Sequence, residues 1–167
     1  MKFTSFDALI KALDTGGVRY LIAGGLAVNA YGYLRFTRDV DVVIQMLPDN
    51  IGRAFSALNR IGYSPVVPVT AEQFADASQR ERRICDKGMK VLQFWSDAHR
   101  ETPVDMFVIE PFDFEQEYGV SLDKPLGDIH VRFVSIPTLI RMKETAGRPQ
   151  DKLDIEELRL LHPDHGR

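Results

Sequence analysis

An α+β domain, a mixed β-sheet flanked by helices, is the fold class that this sequence predicts. Two patterns carry the prediction. Apolar residues switch along the chain between helical spacing, as in Phe6, Leu9, Ile10 and Leu13, and strand alternation, as in Val40, Val42 and Ile44. Two later strand-like stretches, 90–95 and 103–109, are joined by a polar turn over 97–101 that is too short for a crossover. That pair must be antiparallel, so the sheet is mixed.

The elements follow in order. Thr4 or Ser5 is placed to cap the first helix, and Gly16-Gly17 ends it. Residues 19–23 read as a short buried strand, which turns through Gly24-Gly25 into a helix over 26–33. A second strand over 40–45 sets Val40, Val42 and Ile44 on one face and Asp41 and Val43 on the other. Pro48, Asp49 and Asn50 open a helix through residue 59, which Gly62 stops. The polar stretch 70–86 is compatible with helix. A further strand covers 129–134, and Ser135-Ile136-Pro137 opens a helix that Gly147 and Pro149 break. A last helix carries Leu153, Ile155, Leu158 and Leu161. No repeat or linker divides the chain, so residues 1–167 are expected to form one domain with the helices of 135–162 packed on it.

Composition narrows the classes. The 167 residues are 44% hydrophobic and 27% charged, a globular balance. With 21 Lys and Arg against 24 Asp and Glu the net charge is −3, so bulk charge does not draw the chain to nucleic acid and only a local basic groove stays open. The single cysteine, Cys85, excludes an internal disulfide and a cysteine-based zinc site. The longest apolar run, 20–23 with two glycines, is far short of a membrane span, and no cleavable apolar segment follows residues 1–4. A soluble cytoplasmic protein is expected.

The chemistry concentrates in 20–45, YLIAGGLAVNAYGYLRFTRDVDVVIQ. A strand runs through Gly24-Gly25 into a helix, which serves either as a plain turn or as a cradle whose free N–H groups face a polyphosphate. Asp39 and Asp41, two apart on a predicted strand, share a face; they are either a solvated edge or a pair whose repulsion a divalent cation relieves. Asp105, alone within the apolar run 104–108, is a turn-capping acid or a third ligand converging on the first two.

Taken together, the glycine pair, thirteen intervening residues, Asp39-Val40-Asp41 and a later apolar-Asp-apolar strand closely resemble the signature of the polymerase-beta-like nucleotidyltransferase superfamily. The string GGLAVNAYGYLRFTRDVDVVI resembles the minimal and AbiEii-type members, many of them toxin or antitoxin components. The later LIRMKETAGRPQDKLDIEELRLL is similar to their helical Lys followed by Arg-x-x-Asp-x-x-Asp, here Lys143, Arg148, Asp151 and Asp154. The resemblance implies the nucleotidyltransferase fold and transfer of a nucleoside monophosphate from an NTP to a hydroxyl of a protein, RNA or small molecule. It implies Mg2+ or Mn2+ on Asp39, Asp41 and Asp105, with Asp105 also helping to deprotonate the acceptor. Gly24 and Gly25 would hold the triphosphate through backbone N–H groups, Arg35 and Arg38 would neutralise phosphate charge, and Lys143 would reach it from the C-terminal side. Thr37 would hydrogen-bond the loop before the aspartates or simply begin the strand. Asp151 and Asp154 would either orient Lys143 or Arg148 or be helix-start acids favoured by the dipole, the structural role falling to Asp154 rather than Asp151.

The partners so implied are a nucleoside triphosphate, a protein or tRNA acceptor, and a toxin or antitoxin partner protein, with no membrane. A tRNA acceptor requires a basic track, for which Arg35, Arg38, Lys143 and Arg148 are the candidates, extended by Arg80, Arg82 and Arg83. Tyr31 or Tyr33 is placed for contacts near the nucleotide. The alternative is a non-catalytic nucleotide-binding or antitoxin-like partner protein that retains the fold; three intact acids argue against it.

Overall fold

The computed structural model describes residues 1–165. Its elements are α1 (Phe3–Thr15), β1 (Tyr20–Ile22), α2 (Gly24–Ala30), β2 (Val40–Ile44), α3 (Pro48–Arg60), β3 (Ser64–Pro65), α4 (Ala71–Ala75), α5 (Ala77–Lys87), β4 (Val91–Trp95), β5 (Val104–Phe107), α6 (Phe114–Val120), β6 (Leu122–Leu126), β7 (Ile129–Phe133), α7 (Ile136–Ala146) and α8 (Pro149–Leu161). The strands form one sheet in the order β3-β4-β5-β2-β1-β7-β6. It is mixed, as expected: β2 runs parallel to β5 and β1 to β7, while β1 and β2, β4 and β5, and β6 and β7 are antiparallel.

Register decides which side chains share a face. Val40 pairs with Val104 and Val42 with Met106, while Phe94 and Leu92 continue these rows on β4. All are buried, and Phe55 of α3 packs edge-on against Phe94 with ring centroids 5.2 Å apart. That face is the core beneath α3 and its neighbour α1, whose Leu9, Ile10 and Leu13 are buried. The opposite face carries Asp41, Asp105 and Gln93 in one row and is covered by α2 and α7.

Several local expectations are corrected. Neither Thr4 nor Ser5 caps α1; Lys2 occupies that position, and Ser5 is buried with its hydroxyl 2.9 Å from His99 Nδ1. The second helix begins at Gly24, two residues earlier than predicted, and ends at Ala30. The stretch 70–86 divides into α4 and α5 because the Asp76 carboxylate accepts from the Ser78 and Gln79 amides at 2.9 and 3.1 Å and starts a new helix. Helix α5 buries none of its residues and joins β4 at Val91, which pairs with Phe107 beyond the acid-bearing end of β5. No helix among the described residues is long and apolar enough to cross a membrane.

Candidate active site

The site lies where β1 ends and β2 and β5 begin. Asp41 and Asp105 are direct register partners on parallel neighbours, so their side chains project from the same face. Asp39 sits just ahead of β2 rather than inside it, so the predicted i, i+2 strand pairing holds only for its Asp41 half. Among the described residues no ion pair reaches any of the three acids.

Two of them, Asp41 and Asp105, are shifted upward, first by burial. Burial, then the charges of Asp105 and Asp39, push Asp41 up to about 6, and the positive charges of Arg148 and Lys143 oppose the rise. Burial also raises Asp105, with Asp39 adding to it, against a 3.0 Å hydrogen bond from Gln93 Nε2.

The glycine pair is shaped by these neighbours. Gly24 has φ +60, and a Cβ there would lie 1.8 Å from Asp41 Oδ2. Only glycine both adopts that conformation cheaply and leaves room for the carboxylate at the start of α2. At Gly25 a Cβ would meet Thr37 Oγ1 at 2.6 Å and an Arg35 terminal nitrogen at 3.0 Å. Thr37 Oγ1 in turn donates to the Asp39 carbonyl at 3.4 Å, the predicted contact with the loop before the aspartates.

A second cluster of charges lies on the C-terminal helix pair. Lys143 of α7 is 4% exposed, and its Nζ lies 3.1 Å from Asp151 Oδ1 and 2.5 Å from Asp154 Oδ2. Arg148 Nε bonds Asp151 at 2.8 Å, Gln150 Nε2 bonds Asp154 at 3.0 Å, and Arg35 Nε lies 2.8 Å from Asp154 Oδ1. Burial alone would raise both aspartates; the bonds from Lys143, Arg148, Arg35 and Gln150 outweigh it and hold them below the usual carboxylate range. Both acids share a helix face, as their spacing predicted, and both bind Lys143, while Asp151 also holds Arg148. Arg38 is exposed beside Asp39.

The structure does not bring every candidate together. Arg80 stacks on Phe74 at 5.6 Å and feels the charge of Glu110, which follows β5 at its far end from Asp105. Arg82 and Arg83 are on the same helix, so none of the three extends a track beside the aspartates. The Tyr31 hydroxyl is engaged within the fold, donating to the Val134 carbonyl at 3.0 Å. Asn29 had drawn no attention: its side-chain amide donates to the Arg35 carbonyl and accepts from the Arg35 amide, both at 3.0 Å. A polar residue inside the otherwise apolar run of 26–30 was the available signal.

Solved structures with this architecture are similar over nearly the whole chain. The lincomycin-bound lincosamide antibiotic adenylyltransferase LnuA has a TM-score of 0.65 at 13% identity, over 96% of this chain and 98% of that one. The chain has the nucleotidyltransferase fold. ANT(2'')-Ia in complex with adenylyl-2''-tobramycin follows at 0.58 and 14%, over 96% and 87%. An antigenic nucleotidyltransferase-like protein from Paracoccidioides brasiliensis stands at 0.52 and 17%, over 95% and 74%. No protein-family model matches the chain, and no curated protein sequence does.

Oxygen donors carrying unrelieved negative charge suit a hard divalent cation such as Mg2+ or Mn2+. Among the described residues no three His, Cys, Asp or Glu side chains already form a ligand set for one ion. Phosphate oxygens and water are the usual remaining ligands of Mg2+, so the acids need not enclose it alone.

Proposed function

We propose that this protein transfers a nucleoside monophosphate from an NTP to a hydroxyl of a small-molecule acceptor. The observation that supports it best is the Asp41–Asp105 register pair, raised in pKa and set against a Gly24 whose missing side chain leaves room for Asp41. In this reading Asp39, Asp41 and Asp105 hold Mg2+ or Mn2+, which when bound stabilises charge on the entering and leaving oxygens of an in-line displacement. Gly24 and Gly25 present backbone N–H groups to the triphosphate, and exposed Arg38 adds a guanidinium suited to bidentate phosphate contact. Lys143 and Arg148 supply positive charge that Asp41 already feels. Asp105 helps to take the proton of the acceptor hydroxyl. The acceptor oxygen forms a bond to the α-phosphorus, the bond to the bridging oxygen breaks, and pyrophosphate leaves.

The small-molecule acceptor is favoured for two reasons. LnuA and ANT(2'')-Ia, whose names and bound molecules are antibiotic-related, share the fold over almost all of this chain. Apart from exposed Arg38, the basic side chains that a tRNA track requires are divided between an internally neutralised network and helix α5. The test is divalent-dependent pyrophosphate release from each α-labelled NTP with lincomycin, tobramycin and a host lysate as acceptors. Label that runs as a small molecule after protease and RNase treatment supports the reading. Protease-sensitive label moves the acceptor to a protein, and release that Asp41→Asn leaves intact removes the site.

A further inference from the structure

We propose that Arg35 is a positioning residue, not a phosphate ligand: through Asp154 it anchors the crossover carrying Thr37 and Asp39 onto α8. The role in chemistry rests on the reading above; the anchoring does not.

The crossover, residues 31–39 between α2 and β2, has no helix or strand of its own. Left to itself, such a segment would place Asp39 poorly, because each unrestrained residue adds conformational freedom. Its side chains alternate in exposure. Leu34 and Phe36 are 81% and 83% exposed, while Arg35 between them turns inward to Asp154. The Arg35 backbone is clamped from both sides by Asn29. Its guanidinium is then turned to Asp154 and to the segment's own backbone. Nε lies 2.8 Å from Asp154 Oδ1, one terminal nitrogen donates to Asp154 Oδ2 at 2.9 Å, and the other donates to the Phe36 carbonyl at 3.0 Å. The Nε edge of the fork is turned to Asp154, away from any bidentate phosphate contact.

The receiving carboxylate is a firm anchor. Asp154 is fully buried, and Lys143 and Gln150 bond it as well. A second tie acts at the start of the same segment, where His162, just past α8, meets the Tyr31 carbonyl through Nε2 at 2.7 Å. The crossover is thus pinned to the C-terminal helix at two points, and Gly25 is free of the Cβ that would push Thr37 and Arg35 off their seat. From Thr37 the chain needs only two residues to reach Asp39, whose carbonyl Thr37 holds.

Hydrogen–deuterium exchange of a peptide covering 33–39 tests the anchor without any substrate. Arg35→Gln and Asp154→Asn should each raise exchange there about tenfold, the scale of a local opening no longer held closed. The double variant should add little, and Arg35→Lys should restore part of the protection. Phe36→Ser, on the outward face, should leave it unchanged. Should Asp154→Asn fail to fold, Arg35→Gln carries the comparison. In transfer assays Arg35→Gln should lower kcat about 10–100-fold, as loss of an outer positioning partner does, with the KM for Mg-NTP within about twofold. Unchanged exchange together with a tenfold higher KM for NTP would overturn the proposal and make Arg35 a phosphate ligand. Increased exchange in a protein whose wild type releases no pyrophosphate would support the anchor and remove the reaction.

Discussion

Two clusters of charge lie close to one another beside α2, and they are built in opposite ways. Asp39, Asp41 and Asp105 have no cation paired to them, and Asp41 and Asp105 are pushed upward in pKa. Asp151 and Asp154 are more deeply buried, yet each is bonded by two or more donors and both are held below the usual range. Burial penalises a carboxylate in both places. What differs is whether the protein supplies the counter-charge. Where it does, the cluster is structural; where it does not, the repulsion is a standing preference for a bound cation.

This contrast is broken most severely by Lys143→Met, which removes the buried cation that Asp151 and Asp154 share and leaves them to Arg148, Arg35 and Gln150. Unpairing buried charges costs about 3–5 kcal/mol, so urea unfolding should show a loss of that size, and a loss below about 1 kcal/mol would mean that the network is dispensable. Asp41→Asn should do the reverse. Its stability in urea should match or exceed wild type because one of three repelling acids is gone, while kcat should fall by about 10²–10³-fold, the scale of losing a group that stabilises transition-state charge. Equal destabilisation in the two variants would erase the distinction drawn between the clusters.

Gly24→Ala is a smaller perturbation. A left-handed conformation costs a residue with Cβ about 1–2 kcal/mol, and the added carbon also displaces the Asp41 carboxylate. Activity should therefore fall further than stability, as kcat measured against the thermal midpoint will show.

The smallest effect separates the clusters by pH. Asp41, at about 6 when folded against an ordinary 3.8, is protonated more readily in the native state. Its contribution is fully present below about pH 4 and is lost as pH rises through about 6. Asp151 and Asp154, held below the ordinary 3.8, contribute fully above that value and lose the contribution as pH falls through their lowered ones. In chelator, the stability advantage of Asp41→Asn over wild type should therefore shrink between pH 7.5 and pH 5. An advantage independent of pH would show that Asp41 is not perturbed by its neighbours.

Legibility of the sequence followed the range of the interactions involved. Val40, Val42 and Ile44 announced a strand by local alternation, and the turn at 97–101 announced the antiparallel β4–β5 pair, but the parallel β2–β5 pairing that sets Asp41 beside Asp105 is long-range and lay in neither pattern. Helix α6 escaped because seven residues leave too short a period, although Asp113 accepts from the Gln116 amide at 2.9 Å and so caps it. Strand β6 escaped because as an edge it carries Asp123, Lys124 and Pro125, a pattern that reads as loop. The Arg35–Asp154 pair joins residues 119 apart, and no local pattern predicts which distant acid an arginine will meet. Asp154 itself was assigned a structural role from its helix position, and its full burial explains why.

Cys85 gives the molecule a practical asymmetry. It is the only thiol in the chain, it is exposed, and it rides on a helix that buries nothing, which enters β4 at the end of the sheet away from the acids. A maleimide dye or nitroxide can be attached there in the unmodified sequence without a cysteine-free background. One coupling reaction therefore yields a reporter from which the distance to a paramagnetic Mn2+ tests whether the acids hold one.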